Sequence, residues 1–110
     1  MIKYEDFEKV DARVGKIIKV EDTEKLHISA YKMTIDFGEE IGKKISLGQY
    51  TKNYTKKDLK NKLVMCVINF EPKKIGHYIS EVLTLGFDDE NGGVVLAIPD
   101  QKIPVGTRMF

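Results

Sequence analysis

Apolar and polar residues alternate along two segments of this 110-residue chain, and this period restricts the fold to β structure more than any other feature does. Across Val10–Val20 the even positions are apolar, with Lys16 as the exception, and across Tyr31–Phe37 the odd positions are apolar. Successive side chains of a strand point to opposite faces, so each segment is predicted to be a half-buried strand. Gly15 lies inside the first segment and indicates a bulge or bend.

The remaining predicted elements follow the order expected of a small barrel. They are a short helical turn at Tyr4–Lys9, a third strand around Ile45–Leu47, a short helix within Tyr50–Asn61, a fourth strand at Leu63–Ile68, a fifth at roughly Glu81–Phe87 and a last apolar segment at Val94–Ile98. Thr55 and Asp58 have the spacing of a capped helix start. The fourth strand lacks alternation, which indicates burial on both faces. We therefore predict one all-β domain over residues 1–110, an OB-fold five-stranded Greek-key barrel with short terminal extensions.

The segment Asn69–Leu85 leaves the fourth strand and is predicted to be a cationic loop. Pro72 fixes one kink in it, Gly76 provides a flexible point, and Lys73 and Lys74 stand between them. Loops held by a rigid sheet commonly carry binding residues. This loop is therefore the first candidate for a binding site.

Positive charge is concentrated in the middle of the chain, although the formal net charge is only +1. Between Lys43 and Lys74 there are nine lysines and only two acidic residues, a local balance of +7. Such a segment can contact the phosphates of a nucleic acid. The alternative is a solvated surface that serves only solubility.

Sequence motifs for catalysis or for metal binding are lacking, and no cofactor is expected. His27 and His77 lie fifty residues apart without cysteine partners, and Ser80 has no neighbouring base. The single cysteine, Cys66, lies in an apolar strand and is predicted to be a small buried side chain. No apolar run has the length of a membrane helix, and the first residues lack the apolar region of a signal peptide. We therefore expect a cytoplasmic, non-enzymatic protein without membrane insertion.

Four short motifs together carry a family resemblance. They are Val10-Asp11-x-Arg13-Val14-Gly15-Lys16-Ile17, Asp36-Phe37-Gly38, Asn69-Phe70-x-Pro72-x-x-Ile75 with Ser80-Glu81, and Pro104-x-Gly106-Thr107. With them the chain resembles the tRNA-binding OB domain that is appended to some aminoacyl-tRNA synthetases. Where those domains typically read Ser-Glu-Gly-Met, this chain reads Ser-Glu-Val-Leu, which makes it more similar to the CsaA branch.

The resemblance implies a homodimer that binds tRNA or another structured RNA. The alternative, which the CsaA branch also implies, is a chaperone-like binder of unfolded or export-destined polypeptides, with a role in protein secretion. The residues predicted to contact RNA are Lys43, Lys44, Lys52, Tyr54, Asn69, Lys73, Lys74, Ser80 and Glu81. Apolar residues at both termini, where chains are usually polar, predict a two-fold interface. These residues are Phe7, Val10, Met109 and Phe110.

Overall fold

A computed structural model describes residues 1–110 and contains nine strands and two short helices. The elements, in chain order, are α1 (Tyr4–Glu8), β1 (Ala12–Asp22), β2 (Tyr31–Asp36), β3 (Lys43–Gly48), α2 (Lys56–Leu59), β4 (Leu63–Val67), β5 (Lys73–Ile75), β6 (Tyr78–Ser80), β7 (Leu83–Thr84), β8 (Gly86–Asp88) and β9 (Val94–Leu96). The helices have five and four residues, and neither is long and apolar enough to cross a membrane.

Five antiparallel strands in the order β3-β2-β1-β4-β7 form a nearly closed barrel, as the OB-fold prediction requires. The first half of β1 pairs with β4 and its second half with β2, so this one strand links both sides of the barrel. Its register against β2 shifts between Ile17 and Lys19. Gly15 has no room for a side chain, because a Cβ there would lie 2.5 Å from the Ile35 side chain.

The core confirms the predicted alternation in β2 and corrects it in β1. Tyr31, Met33, Ile35 and Phe37 are all buried, as their odd positions predict. In β1, however, Ile17 rather than Ile18 is fully buried, opposite Ile35 of β2, and the buried Ala12 and Val14 stand outside the core cluster. The other core residues come from every side of the barrel; they are Tyr50, Leu59, Val64, Cys66, Val82 and Leu96.

Helix α2 begins where the capping pattern predicts. The Thr55 hydroxyl accepts a hydrogen bond from the Asp58 N–H, and the Asp58 carboxylate accepts one from the Thr55 N–H. This reciprocal pair satisfies two backbone donors that a helix start would otherwise leave without partners. It fixes the helix so that Leu59 is completely buried in the core.

Two segments differ from the sequence-based prediction. The predicted fifth strand is divided into β7, which pairs with β4, and β8, which leaves the barrel and pairs with β9. Between them the Leu85 N–H donates to the Met65 carbonyl, and the Leu85 carbonyl accepts from the Ala97 N–H. The predicted loop Asn69–Leu85 contains a hairpin, formed by β5 and β6. Strands of two and three residues are too short for a period to be recognised in the sequence.

Candidate nucleic-acid interface

The hairpin of β5 and β6 turns at Gly76 and His77. Gly76 has a φ of +61°, and it is the first of the two central residues, where a type II′ turn requires glycine. A Cβ at this position would also lie 2.5 Å from the Leu26 side chain. The hairpin therefore packs closely against the loop that joins β1 to β2. A second contact to that loop is the hydrogen bond from the Glu24 N–H to the Tyr78 hydroxyl, at 3.1 Å.

This placement matters because the loops after the first and fourth strands flank the oligonucleotide-binding face of OB folds. Here the first of these loops is residues 23–30, and the second is the segment that holds the hairpin. The structure brings the two together at the same end of the barrel. It thereby brings the lysines of β5 to the expected binding face.

Ser80 and Glu81 close the barrel seam beside the hairpin. The Ser80 hydroxyl accepts a hydrogen bond from the Leu47 N–H at 3.1 Å, and the Glu81 carboxylate accepts one from the Ile45 N–H at 2.9 Å. The Ile45 carbonyl in turn accepts from the Glu81 N–H at 2.7 Å. These two polar side chains therefore accept the hydrogen bonds that the backbone of a paired strand would otherwise accept from β3.

A cleft of about 760 Å³ lies between the hairpin and this seam. Its lining is Leu47, Gln49, Phe70, Glu71, Pro72, Lys73, Lys74, Ile75, Ser80, Glu81, Val82 and Leu83. Two apolar side chains in the lining remain largely in solvent, since Phe70 is 55% exposed and Leu83 is 49% exposed. The cleft thus combines an apolar floor with a charged rim.

Three of the predicted lysines lie along this side of the barrel. Lys73 and Lys74 are exposed on β5, and neither makes an ion pair or a side-chain hydrogen bond. Lys43 is exposed and shares the outward face of β3 with Leu47, which lines the cleft. Lys44 follows it, but it is half-buried and lies on the opposite face of β3, which also carries the buried Ser46. The cleft is therefore bordered by cations that are free to meet an external anion.

Lys52 and Tyr54 lie outside the cleft. The Lys52 ammonium donates a hydrogen bond to the Asn91 carbonyl, which ties it to the loop between β8 and β9. The Tyr54 ring packs edge-on against Tyr50 at 6.2 Å, and its hydroxyl accepts from the Leu96 N–H. Tyr54 is therefore engaged in packing the barrel against β9. The structure does not bring these two residues to the other predicted contacts.

Asn69 holds the base of the hairpin segment to the N-terminal segment. Its side-chain carbonyl accepts from the Asp11 N–H at 3.0 Å, and its amide donates to the Lys9 carbonyl at 2.7 Å. Both ends of this side chain are thus committed to backbone partners. Asn69 consequently fixes where the hairpin segment leaves β4, and it does not line the cleft.

Phe70 and Leu83 are cleft residues that the sequence-based list omits. The sequence does carry a signal for Phe70, since this aromatic residue stands in an otherwise polar stretch between the buried fourth strand and Lys74. The sequence-based prediction names Tyr54 instead, since aromatic side chains near lysines commonly stack on bases. Nothing in the sequence marks Leu83, because its exposure follows from the break after β7.

The four residues predicted for a two-fold interface do come together. Phe7, Val10, Met109 and Phe110 line one shallow cavity of about 210 Å³, although they lie at opposite ends of the chain. Arg108 joins the two ends, since its guanidinium donates to the carbonyls of Glu8 and Val10. Met109 also lines a neighbouring apolar cleft of about 640 Å³.

Asp11 organises charges between the termini and the barrel. Its carboxylate accepts a 2.6 Å hydrogen bond from Arg13 and lies 3.7 Å from Arg108. The Asp11 hydrogen bond raises the pKa of Arg13 above its ordinary value. Both terminal segments are therefore attached to β1, and their apolar side chains remain at the surface.

The buried thiol has no reactive character. Cys66 is completely buried, and its Sγ lies 3.5 Å from the Thr84 hydroxyl. Burial raises the pKa of Cys66 to about 11, so the thiol stays protonated at neutral pH. A protonated, inaccessible thiol is a poor nucleophile. Its role is to fill the core.

Solved structures with a similar fold include two chaperones. The chain superposes on a CsaA chaperone protein from Picrophilus torridus with a TM-score of 0.93 and 45% sequence identity, covering 100% of both chains. It superposes on the chaperone CsaA from Bacillus anthracis str. Ames with a TM-score of 0.94 and 39% identity, covering 100% of this chain and 99% of the other.

Curated relatives are much longer proteins. The chain is 37% identical over 111 residues to the methionine–tRNA ligase of Thermococcus onnurineus (strain NA1), and the match covers 98% of this chain but 14% of the ligase. The ligase of Methanosarcina acetivorans is 34% identical, with 98% and 15% covered. Residues 12–108 match the family described as "Putative tRNA binding domain". Since the match includes the whole barrel, the chain belongs to the tRNA-binding domain family.

Proposed function

We propose that this chain binds tRNA through the hairpin cleft and the lysines beside it. One observation carries the proposal: Lys73 and Lys74 stand exposed and without carboxylate partners, at the loop position where OB folds bind oligonucleotides. Membership in the tRNA-binding domain family and the likeness to methionine–tRNA ligases support this function over the polypeptide-binding alternative.

The lysines would hold the RNA backbone. A lysine that neutralises a phosphate releases a condensed counterion, which favours binding most at low salt. Such contacts orient the RNA without reading its sequence. Lys43 would extend the contact along β3, while Lys52, which is tied to Asn91, would take part only if that hydrogen bond opened. A phosphate contact by Lys44 remains a prediction.

Asn69, Ser80 and Glu81 would support binding by shaping the cleft. Each of these side chains accepts at least one hydrogen bond from a backbone N–H of a distant segment. A hydroxyl or carboxylate used in this way has limited capacity left for RNA. Direct RNA contacts by these residues and by Tyr54 remain a prediction.

We further propose that a second copy of the chain covers the terminal apolar surface. Phe110 is fully exposed and lies beside Phe7, Val10 and Met109, so a monomer would leave a group of large apolar side chains in water. Met109 makes this surface continuous with the neighbouring apolar cleft. A two-fold interface would bury the same patch on both subunits.

The role proposed for the chain is binding rather than catalysis, and its place is the cytoplasm, where tRNA is found. The relatives are ligases of which this chain matches only a small part, so their activity is not carried over. The protected thiol of Cys66 also provides no nucleophile.

Binding of tRNA and of denatured polypeptide at several salt concentrations tests the proposal. For tRNA, the logarithm of the affinity should fall linearly with the logarithm of the salt concentration, because phosphate contacts dominate. A polypeptide held by apolar surface should show little salt dependence. Salt-insensitive binding to polypeptides, with no binding of tRNA, would refute the proposal.

A further inference from the structure

We infer that the hairpin cleft takes an unpaired nucleobase of the bound RNA, stacked on the ring of Phe70. The protein would then recognise RNA with single-stranded or looped nucleotides and discriminate against a continuous duplex. This inference rests on the proposed function and adds the class of RNA structure that the cleft selects.

Phe70 is held in place although its ring is free. The residue before it, Asn69, is fixed by hydrogen bonds to Lys9 and Asp11, and Pro72 restricts the backbone two residues later. The ring itself is 55% exposed, and it is the one aromatic group in the cleft lining. An anchored aromatic ring with an open face loses little entropy when a ligand stacks on it.

The rest of the cleft suits a flat, partly apolar ligand. Leu47 and Ile75 are half-buried in its lining, and Leu83 is 49% exposed. The volume of about 760 Å³ lies within the range of pockets that bind small ligands and cofactors. A base with its sugar can therefore enter without a rearrangement of the barrel.

The charges of the rim favour a nucleotide over a polypeptide. Lys73 and Lys74 are free to meet a phosphate. Of the two acidic residues in the lining, Glu81 is bound to the Ile45 N–H, and Glu71 is exposed at the surface. A nucleotide joins a flat ring, which can stack on Phe70, to a phosphate, which the lysines can contact. In RNA, the face of a base is free for such stacking only where the base is unpaired.

The nearby tyrosines cannot take this role. Tyr50 is 3% exposed and its hydroxyl donates to the Thr84 carbonyl. Tyr54 packs edge-on against Tyr50. Tyr78 is half-buried, with its ring against His77 at 4.2 Å and its hydroxyl bonded to the Glu24 N–H. Phe70 is thus the exposed aromatic ring that lines the cleft, since His77, at the turn of the hairpin, does not line it.

The test uses the absence of tryptophan from the chain. Phe70→Trp introduces the only tryptophan of the chain, in the cleft, where it can be excited separately from the tyrosines. Ile79→Trp provides a matched control, because Ile79 is 56% exposed on the same hairpin but does not line the cleft. The probes are an RNA hairpin with an unpaired loop, a blunt RNA duplex of equal length and a denatured polypeptide. We expect the loop RNA, and neither of the other probes, to quench the fluorescence of Phe70→Trp.

Affinity measurements complete the test. Phe70→Ala should weaken binding of the loop RNA by roughly five- to 150-fold, the effect of losing one stacked base. The salt slope should stay unchanged, because no charge is removed. Phe70→Leu keeps the apolar bulk, and it should still lose affinity if stacking is the cause. Ile79→Ala should bind the loop RNA as the parent chain does.

The outcomes separate this inference from the proposed function. If the loop RNA binds with the expected salt slope but Phe70→Ala and Phe70→Leu bind equally well, the stacking site is refuted and phosphate binding stands. Equal losses for loop RNA and duplex, or for Phe70→Ala and Ile79→Ala, also refute it. Quenching of Phe70→Trp by the polypeptide alone would assign the cleft to polypeptides. If the parent chain binds no RNA, both proposals fall.

Discussion

Replacing Lys73 and Lys74 by alanine tests whether the hairpin provides the phosphate contacts. Each neutralised phosphate contributes about 0.7 to 0.9 to the slope of log affinity against log salt, so losing two contacts should make the slope shallower by about 1.4 to 1.8. Over a fourfold rise in salt, for example from about 50 to about 200 mM, the variant should lose roughly seven- to twelve-fold less affinity than the parent chain does.

The assay is fluorescence anisotropy of labelled tRNA at a series of salt concentrations. A double variant, Lys3→Ala with Lys102→Ala, is the matched control, because it removes two charges from exposed positions outside the cleft. Neither double variant should change the free energy of unfolding by more than about 1 kcal/mol, since each replaced lysine is exposed. An unchanged slope in the hairpin variant, or an equal change in the control, would refute the assignment of the RNA site.

Three further predictions concern the interface, the helix and the seam. Phe110→Asp should turn a dimer into a monomer in sedimentation experiments. The control, Ile2→Asp, alters an exposed apolar residue outside the terminal cavity and should leave the dimer intact. A parent chain that is monomeric at micromolar concentration would exclude the interface. Thr55→Ala should lower the free energy of unfolding by about 1 kcal/mol in urea titrations, because α2 loses its cap. At the seam, Glu81→Ala should destabilise the barrel more than Glu81→Gln does.

The parts of the fold that the sequence predicts are those whose signals are local. The period of β2 and the reciprocal cap at Thr55 and Asp58 each involve residues within a few positions of one another. The strands β5 and β6 have three residues each, too few for an alternation of apolar and polar residues to be recognised. The turn glycine, Gly76, is therefore the only sign of this hairpin in the sequence. The inward position of Ile17 follows from its pairing with the buried Ile35 of β2, a partner 18 positions away in the chain.

The sequence predicts the surroundings of the candidate-site residues only in part, for the same physical reason. Exposure of Lys73 and Lys74 follows from their place between a proline and a glycine, which keeps a segment at the surface. The role of Asn69 depends on partners 58 and 60 residues away, and that of Ser80 on one 33 residues away. No local sequence pattern indicates such distant contacts. The sequence therefore predicts Asn69 and Ser80 as contacts to RNA and gives no sign of their hydrogen bonds within the fold.

Glu81 is the residue for which the structural role and the motif are most easily separated. Its carboxylate accepts a hydrogen bond from the Ile45 N–H at the edge of β3, and Glu81 is half-buried there. A hydrogen bond to a charged group contributes about 1.5 to 3 kcal/mol to the free energy of unfolding. Glutamine retains an acceptor oxygen of the same shape, so Glu81→Gln should lose about 1 kcal/mol or less and keep the cleft, whereas Glu81→Ala leaves the N–H without a partner. Urea unfolding and tRNA binding of both variants measure the two roles. If Glu81→Gln is as stable as the parent chain but loses tRNA binding, the carboxylate acts on the ligand and not only on the seam.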